Sequence, residues 1–241
     1  MIRAAGGGRE VATETLRRIL WSHPEWWCIA LSVSAWGLMA AHMIGHHGDA
    51  CHHRESLYEA WLNWLAMIAA MMVPLELRHL RKTAFSSLRT RRHRAMIGFL
   101  LGFIAPWGLL GIVAAWLCNQ PWGHGHAPAA VAFAFATLWV TTPLRARALV
   151  SCHRTVPLAP SGWRANVDCV RFGSLVGTAC TTTCWPFMIA CALSGHSPIA
   201  MAGGAALGAI ERLSFRPRYR TILAGAGGLT IVYLALALYR A

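Results

Sequence analysis

The side chains best suited to chemistry in this chain are gathered in one histidine-rich stretch, HMIGHHGDACHH. It holds five His, one Asp and one Cys within twelve residues. Neutral imidazole, carboxylate and thiolate are the protein ligands of zinc and copper. The spacing matches no closed structural zinc site, so the stretch predicts metal contact without fixing the ion; a polar loop that is merely rich in His is the alternative. The candidate ligands are His42, His46, His47, His52 and His53.

Methionine joins histidine where this stretch begins. Met39, His42, Met43 and His46 recur at i, i+3, i+4 and i+7, which places them on one face of a helix. Thioether and imidazole together suit copper better than hard cations, so Met39 and Met43 are further candidate ligands. Ordinary packing of methionine in an apolar helix explains them equally well.

A second short motif, PWGHGH, contributes His124 and His126. Its glycines allow the backbone to close tightly around two ligands. The motif is weak alone and gains weight because the charge pattern described below places it on the same side of a membrane as the first stretch. Cys51 and Cys118 are expected on that side too, where an oxidising periplasm would permit a disulfide between them.

Cysteine and methionine share a helix face further along the chain, in ACTTTCWPFMIAC. Cys180, Cys184, Met188 and Cys191 are spaced by 4, 4 and 3 residues, which places them within an arc of about 80° on a helix. Two thiols at i and i+4 can bind one soft ion, and Met188 lies one turn further on. Cysteine buried as a small apolar side chain is the alternative. Cys180, Cys184 and Met188 are therefore candidate metal ligands.

A third sulfur pattern precedes these residues in the chain. Asn63, Met67 and Met71 recur at i, i+4 and i+8. An asparagine in an apolar helix needs a hydrogen-bond partner or a ligand. Met67 and Met71 are added to the candidate metal ligands, although core packing explains them at least as well.

Two polar groups in the apolar segments need partners from elsewhere. Pro186 cannot donate a backbone hydrogen bond, so we expect a carbonyl near Thr182 to be free to bind something else. Glu211 would be costly in lipid, and we expect it to pair with an arginine such as Arg212 or Arg171.

The elements that must position these residues are membrane helices. The 241 residues are 56% hydrophobic and 13% charged, with a mean hydropathy of +0.44, which is too apolar for an ordinary soluble domain. A spanning helix needs roughly 20 apolar residues, and about seven such segments occur. They lie near 26–44, 58–76, 96–117, 129–148, 172–194, 198–212 and 221–239. We predict an all-α polytopic transmembrane bundle over 26–241, preceded by a leader, 1–25, with a possible amphipathic helix around Thr13–Trp21.

Basic residues set the expected orientation. Only Arg54 and Arg240 of the 22 Lys and Arg fall outside alternate loops and the leader, which is the positive-inside pattern of membrane proteins. It predicts a cytoplasmic N-terminus in a bacterial inner membrane and places the histidine-rich stretch on the outer side. The basic charge is then explained by topology and by contact with the lipid bilayer, and nucleic acid is not expected as a partner.

Several motifs together resemble a known family. They are WLAMIAAMMVP from Trp64 to Pro74, Cys152, RFG from Arg171, GTACTTTCWPFM from Gly177 to Met188, and Glu211-Arg212. This pattern resembles a bacterial family of integral membrane proteins that are expected to bind metal and are sometimes labelled copper chaperones. The resemblance covers roughly residues 58–235, and Thr183 stands where the family commonly has a further Cys.

These patterns favour copper binding over catalysis, with zinc the less favoured ion. The leading hypothesis is copper capture at the outer face, followed by relay, storage or delivery to a copper-dependent enzyme in the membrane or periplasm. The first alternative is an accessory or structural subunit of a larger hetero-oligomeric membrane complex. The second is a thiol or haem redox protein, against which the chain has no Cys-x-x-Cys and few His deep in its apolar segments.

Overall fold

A computed structural model describes residues 22–45, 56–122, 125–213 and 219–239. This part of the chain contains nine α-helices, two short 3₁₀ turns and no β-strand, and so the all-α prediction is confirmed for it. The helices are α1 (Trp26–Gly45), α2 (Leu57–Met71), α3 (Leu77–Ser86), α4 (Arg92–Cys118), α5 (His126–Val140), α6 (Pro143–Cys152), α7 (Gly162–Leu193), α8 (Pro198–Leu213) and α9 (Tyr219–Tyr239). The 3₁₀ turns are Val73–Glu76 and Arg89–Arg91. The helix expected around Thr13–Trp21 lies outside the described residues.

Each of the seven apolar segments coincides with helical structure. Three stretches are long and apolar enough to cross a membrane: Arg89–Cys118, Gly162–Leu193 and Tyr219–Tyr239. Two further pairs, α2 with α3 and α5 with α6, pass the same test together but are bent by 43° and 78°. The described residues thus offer three to five membrane-spanning helices by length and composition, and α1 contains a shorter apolar helix, Trp26–Ala41. Seven crossings stay a prediction.

Both bends occur where a proline meets a helix end. Pro74 lies in the 3₁₀ turn that follows α2. Pro143 is the first residue of α6, and the Thr142 side chain caps that helix by accepting a hydrogen bond from the Arg145 backbone N–H at 3.4 Å. A proline fits the first turn of a helix but cannot continue one, so the chain changes direction at these points. The segment expected as one helix over 129–148 is therefore two helices.

Helices α4 and α7 form the centre of the bundle because glycine lets their backbones touch. A methyl group added at Gly177 would lie 2.5 Å from the Phe103 carbonyl oxygen, and one added at Gly173 would meet the Phe99 carbonyl oxygen. Small residues of this kind allow close helix packing in membranes. The second half of α7, from Ala179 onward, is almost wholly buried among the surrounding helices. This half carries the predicted sulfur ligands.

Side-chain contacts fix the relative direction of the outer helices. Ser32 and Trp36 of α1 donate hydrogen bonds to the carbonyls of Ala69 and Ala70 near the end of α2. Arg81 of α3 lies 3.8 Å from Glu25, just before α1 begins. Helix α1 therefore starts at the end of the bundle where α2 finishes and runs antiparallel to α2.

Helix α9 runs antiparallel to its neighbours as well. The Tyr233 ring lies 6.0 Å from the His126 ring at the start of α5, and Thr230 lies 3.2 Å from Thr137 further along α5. We call the end of the bundle with His126 and His196 the histidine end, and the opposite end, where α4 begins with Arg92, the basic end. Helix α9 begins at the basic end and finishes at the histidine end.

Candidate functional site

Most of the predicted outer ligands lie outside the described residues. They are His46, His47, His52, His53 and His124, together with the side chains of His42 and Met43, whose backbone belongs to α1. Met39 is described and is buried in the core. The role of the histidine-rich stretch stays a prediction.

His126 is a predicted outer ligand whose side chain is described. It opens α5 and is half-buried, with its ring against Tyr233. The backbone N–H of Gly125 donates to the Leu193 carbonyl at 3.1 Å, which ties the start of α5 to the end of α7. The Nδ1 atom of His126 is buried and hydrogen-bonded to none of the described residues. This imidazole is thus held at the histidine end with one nitrogen available.

The four sulfur residues of α7 are buried together in the core. We call Cys180, Cys184, Met188 and Cys191 the sulfur row, and each is at most 7% exposed. The row extends over about 16 Å along the helix, from its middle to the histidine end. Such a column of thiols and thioethers offers soft ligands and no hard oxygen ligands.

The best-defined sulfur contact joins the row to α2. Cys180 Sγ lies 3.9 Å from Met72 Sδ, and both side chains are fully buried. Met72 follows the last residue of α2, where the chain bends toward Pro74. Our set of candidate ligands omitted Met72, although the sequence WLAMIAAMMVP includes it. Met72 follows Met71 by one residue, and its backbone N–H still donates to the Ile68 carbonyl, so its side chain continues the helix on a neighbouring face.

Met71 lies near the other end of the row. A methyl group added at Gly204 of α8 would lie 3.1 Å from Met71 Cε and 3.4 Å from Cys191 Sγ, so both side chains lie next to this glycine. Met67 is also buried in the same core. The structure therefore places the predicted methionines of α2 in the same buried core as the predicted cysteines, with Met71 near Cys191.

An indole group borders the Cys180–Met72 contact. Trp107 of α4 lies beside Cys180, with its N–H close enough to interact with the sulfur. Trp107 Nε1 is buried and makes no hydrogen bond of ordinary geometry with the described residues. A buried donor without a full partner is costly, and a charged thiolate at Cys180 would be a better acceptor than the neutral thiol.

The carbonyl freed by Pro186 has a partner in the protein. Trp139 Nε1 of α5 donates to the Thr182 carbonyl oxygen at 3.1 Å. The Trp139 ring also packs edge-on against Trp185, with centroids 5.5 Å apart. The freed carbonyl therefore links α5 to α7.

Buried ions lie next to the row on its basic side. Arg145 of α6 donates to both carboxylate oxygens of Glu211, at 2.7 and 2.6 Å. Arg212 pairs with Glu76, which also contacts His79 Nδ1 at 2.7 Å. The expected pairing of Glu211 with an arginine is confirmed, but the partner is Arg145 and not Arg212 or Arg171. The bend before α6 brings Arg145 back into the core, which sequence spacing does not reveal.

Cys152 joins these ions to the sulfur row. Arg212 Nη2 lies 3.5 Å from Cys152 Sγ, and Thr183 Oγ1 lies 3.7 Å from the same sulfur. Cys152 also interacts electrostatically with Cys184. Burial lowers the pKa of the neighbouring His153 below its ordinary value, so this imidazole is neutral at physiological pH.

A cleft at the histidine end approaches the other end of the row. It is lined by Trp64, Cys118 and His196 together with small alanines. The backbone N–H of His196 donates to the Cys191 carbonyl at 3.0 Å, which places this cleft one turn beyond the row. A soft ion entering here would meet an imidazole and a thiol before it met Cys191.

No group of three or more His, Cys, Asp or Glu is placed to hold a metal ion within the described ranges. The candidate centre within the described residues is thus a row of neighbouring sulfur side chains that includes the Cys180–Met72 contact, and not a closed cage. Such pairs, in an apolar interior, suit a soft monovalent ion that must be released again.

Comparison with known proteins identifies a family. A family model, PpoB2, described as copper chaperone, matches residues 61–237. That range begins within α2 and ends near the end of α9, and it includes the sulfur row, Met72 and Cys152. No curated protein and no solved structure matches the chain.

Proposed function

Because the chain belongs to the PpoB2 copper chaperone family, we propose that it is a membrane-embedded protein that binds copper as Cu⁺ through sulfur ligands and delivers it to a copper-dependent enzyme. The contact between Cys180 Sγ and Met72 Sδ is the observation that carries this proposal. Thiolate and thioether select Cu⁺ over harder ions. The protein receiving the copper is proposed by its chemistry alone, as an enzyme of the membrane or periplasm.

The charge of a Cys180 thiolate favours a monovalent ion at the contact between Cys180 and Met72. A thiolate and one Cu⁺ sum to zero, whereas a thiolate and a divalent ion leave a net positive charge. An uncompensated charge in an apolar interior is costly, and Cys180 and Met72 are both fully buried. This argument favours copper over zinc.

The row supplies a path for the ion. In this proposal, copper captured by the histidine-rich stretch enters at the cleft of Cys118 and His196. It then passes along Cys191, Met188 and Cys184 to Cys180. Neighbouring residues of the row are three or four apart on one helix face, so each step is about one helical turn.

The same proposal includes seven membrane crossings in a bacterial inner membrane. The antiparallel contact of α1 with α2, and of α8 with α9, supports α1 and α8 as additional crossings beside the longer helices. At 20 residues, α1 is about 30 Å long, close to the thickness of the hydrocarbon core. The cytoplasmic side is then the basic end.

Metal content of the detergent-purified protein tests the function. Cu⁺ is added under reducing conditions and counted by mass spectrometry in the wild type and in the double variant Cys180→Ser, Cys184→Ser. We expect the variant to lose the tightly bound copper, since serine oxygen is a poor ligand for a soft ion. Cys169→Ser is the matched control, because Cys169 is a cysteine of α7 that is buried but outside the row.

Three outcomes are informative. Copper lost from the double variant and kept by the Cys169 control supports the proposal. Copper kept by the double variant moves the site to the histidine-rich stretch and refutes the role of the row. A wild type that binds no Cu⁺ refutes the function and makes an accessory subunit of a larger complex the better explanation.

A further inference from the structure

Helices α4 and α7 begin side by side at the basic end. A methyl group added at Gly98 of α4 would lie 3.5 Å from the Cys169 side chain of α7, whereas Gly177, further along α7, lies against Phe103, further along α4. The two helices therefore run parallel, and the partial positive charges of their first turns add. Neither helix has an acidic residue in its first turn, and the residue that precedes each one does not cap it with its side chain. The shared end is thus electropositive.

Two arginines share one exposed aromatic ring beside these helix starts. The guanidinium carbon of Arg92 lies 4.8 Å from the centre of the Phe85 ring, and that of Arg81 lies 5.7 Å from the same centre. Arg81 is also 3.8 Å from Glu25. Arg92 Nε, in contrast, is buried and hydrogen-bonded to none of the described residues. Two positive groups on one ring repel each other, and an anion that contacts both removes this repulsion.

The chain around these arginines is strongly basic and is tied to α7. Residues 77–94 contain seven Lys and Arg and no Asp or Glu. Arg91 Nη2 donates to Asn166 Oδ1 of α7 at 2.5 Å, and the backbone N–H of Leu88 donates to the Pro160 carbonyl at 3.4 Å. These bonds hold the guanidinium groups next to both helix starts, so the positive charge occupies a defined place on the surface.

The length of α4 and two exposed apolar side chains indicate a lipid at this place. At 27 residues, α4 is about 40 Å long, roughly 10 Å more than the hydrocarbon core of a bilayer. Its first turn therefore extends to the level of the lipid headgroups when its other end lies at the opposite boundary. Phe85 is 48% exposed and Leu88 is 53% exposed beside the arginines. A phospholipid offers a phosphate and apolar chains together, whereas a soluble phosphate offers only the first.

We call Arg81, Phe85, Leu88 and Arg92 the arginine surface, and we propose that it binds one anionic phospholipid by its phosphate at the starts of α4 and α7. The two guanidinium groups donate to the phosphate oxygens, and the helix starts add favourable charge. Phe85 and Leu88 contact the glycerol and the upper part of an acyl chain. This inference goes beyond the proposed function: it needs helices that cross a membrane, and it holds whether or not copper binds.

Native mass spectrometry of the full-length protein in a non-ionic detergent tests this surface. Phosphatidylglycerol is the probe, and phosphatidylcholine, which has no net charge, is its neutral counterpart. We expect the wild type to retain one phosphatidylglycerol per chain in preference to phosphatidylcholine. The double variant Arg81→Gln, Arg92→Gln should lower the affinity for phosphatidylglycerol about thirtyfold at low ionic strength, because each basic side chain near an anionic membrane surface contributes a factor of about five. Equal retention of the two lipids by the wild type overturns the inference.

A matched pair of arginines separates this surface from the overall charge of the protein. Arg147 and Arg154 are exposed and belong to α6 and the residues after it. Replacing both with glutamine removes the same charge and should leave the affinity unchanged. The double variant Arg81→Lys, Arg92→Lys retains both charges and should recover most of the affinity, with thermal unfolding in detergent to show that each variant is folded. Equal losses in the two glutamine variants overturn the inference, since only total charge would then attract the lipid.

Competition with a soluble phosphate identifies the source of the ligand. Glycerol 3-phosphate at the same concentration should leave phosphatidylglycerol bound, because it lacks the acyl chains that contact Phe85 and Leu88. Its displacement of the lipid would show that the surface binds soluble phosphates and would refute the lipid.

Copper binding by the same variants separates this inference from the proposed function. The Arg81 and Arg92 glutamine variant should bind as much Cu⁺ as the wild type, because no sulfur ligand is changed. A wild type that binds Cu⁺ without preferring phosphatidylglycerol contradicts only the lipid site. A wild type that prefers phosphatidylglycerol but binds no Cu⁺ supports the lipid site and contradicts only the proposed function.

Discussion

Met72 shows how much of the candidate site depends on a single residue. Its sulfur lies 3.9 Å from Cys180 Sγ, and it lies in the bend between α2 and the following 3₁₀ turn. Sequence periodicity selected Met67 and Met71, which follow the helical repeat. It missed Met72 because this residue falls outside the repeat of Asn63, Met67 and Met71, although its backbone N–H continues the helix by donating to the Ile68 carbonyl.

Replacement of Met72 by leucine removes the thioether sulfur but leaves no large cavity in the core, so it tests the role of the sulfur in metal binding. Leucine and methionine have similar volumes, so we expect a loss of stability below about 1.5 kcal/mol. Affinity for Cu⁺ should fall by more than about tenfold. Removal of a residue that only orients a metal ligand already lowers metal affinity by about that much, and Met72 is proposed to bind the ion itself. Competition against a colorimetric Cu⁺ chelator measures it. Met96→Leu, at an equally buried methionine of α4, should leave the affinity unchanged; matching losses in both variants would remove Met72 from the site.

The hydrogen bond of the Thr182 carbonyl likewise could be predicted only in part from the sequence. The sequence predicts that Pro186 frees a carbonyl, since proline has no N–H to donate. It does not predict the donor, because Trp139 lies on a different helix and is brought near only by packing.

Trp139→Phe should keep the ring contact and leave the carbonyl unpaired, at a cost of about 1–3 kcal/mol. Thermal unfolding in detergent measures this, and the exposed Trp163→Phe, expected to change stability by less than about 0.5 kcal/mol, is its control.

At the scale of the elements, the positions of the helices were predictable from the hydrophobic segments, but the angles at which the helices bend were not. The seven apolar segments all contain helices, which is the structure in which a long apolar run satisfies its own backbone hydrogen bonds. The 78° bend between α5 and α6 is what returns Arg145 and Cys152 to the core. That bend depends on Pro143 and on the cap at Thr142, and a hydropathy pattern does not contain its angle.

The contact between α4 and α7 supports a prediction at this scale. A methyl group at Gly177 would lie 2.5 Å from the Phe103 carbonyl oxygen, and backbone cannot move aside as a side chain can. We expect Gly177→Ala to destabilise the protein by about 1–3 kcal/mol and to disturb the row beside it. Gly228→Ala in α9 is the control, since nothing lies within 4 Å of the added methyl. Alanine there should stabilise the helix by about 0.5–1 kcal/mol, so equal destabilisation by both variants would contradict close packing as the cause.

At the scale of the whole molecule, the histidine, sulfur and charged groups follow one another along the axis that is expected to be perpendicular to the membrane. Histidine and thiol groups line the cleft at one end, sulfur occupies the middle, and buried ion pairs with Cys152 lie toward the basic end. Charge in the loops predicts that the basic end faces the cytoplasm, since positive residues are retained there, and this direction stays a prediction. The order of ligands along the axis needed the fold, because it combines residues from α2, α6, α7 and α8.

Orientation in the membrane is therefore the prediction on which the direction of copper movement depends. If α1 and α8 both cross, the N-terminus is cytoplasmic and the C-terminus after Ala241 is outside. A reporter that is active only in the periplasm should then be active when fused after Ala241 and inactive when fused between Ser87 and Arg89 at the basic end. With α1 and α8 lying along the surface, the five remaining crossings would place the C-terminus inside, because the basic loops still fix the other helices. A silent C-terminal fusion with full expression would thus reverse the assigned path of α9, whereas the histidine-rich stretch, which directly precedes α2, would stay on the outer side.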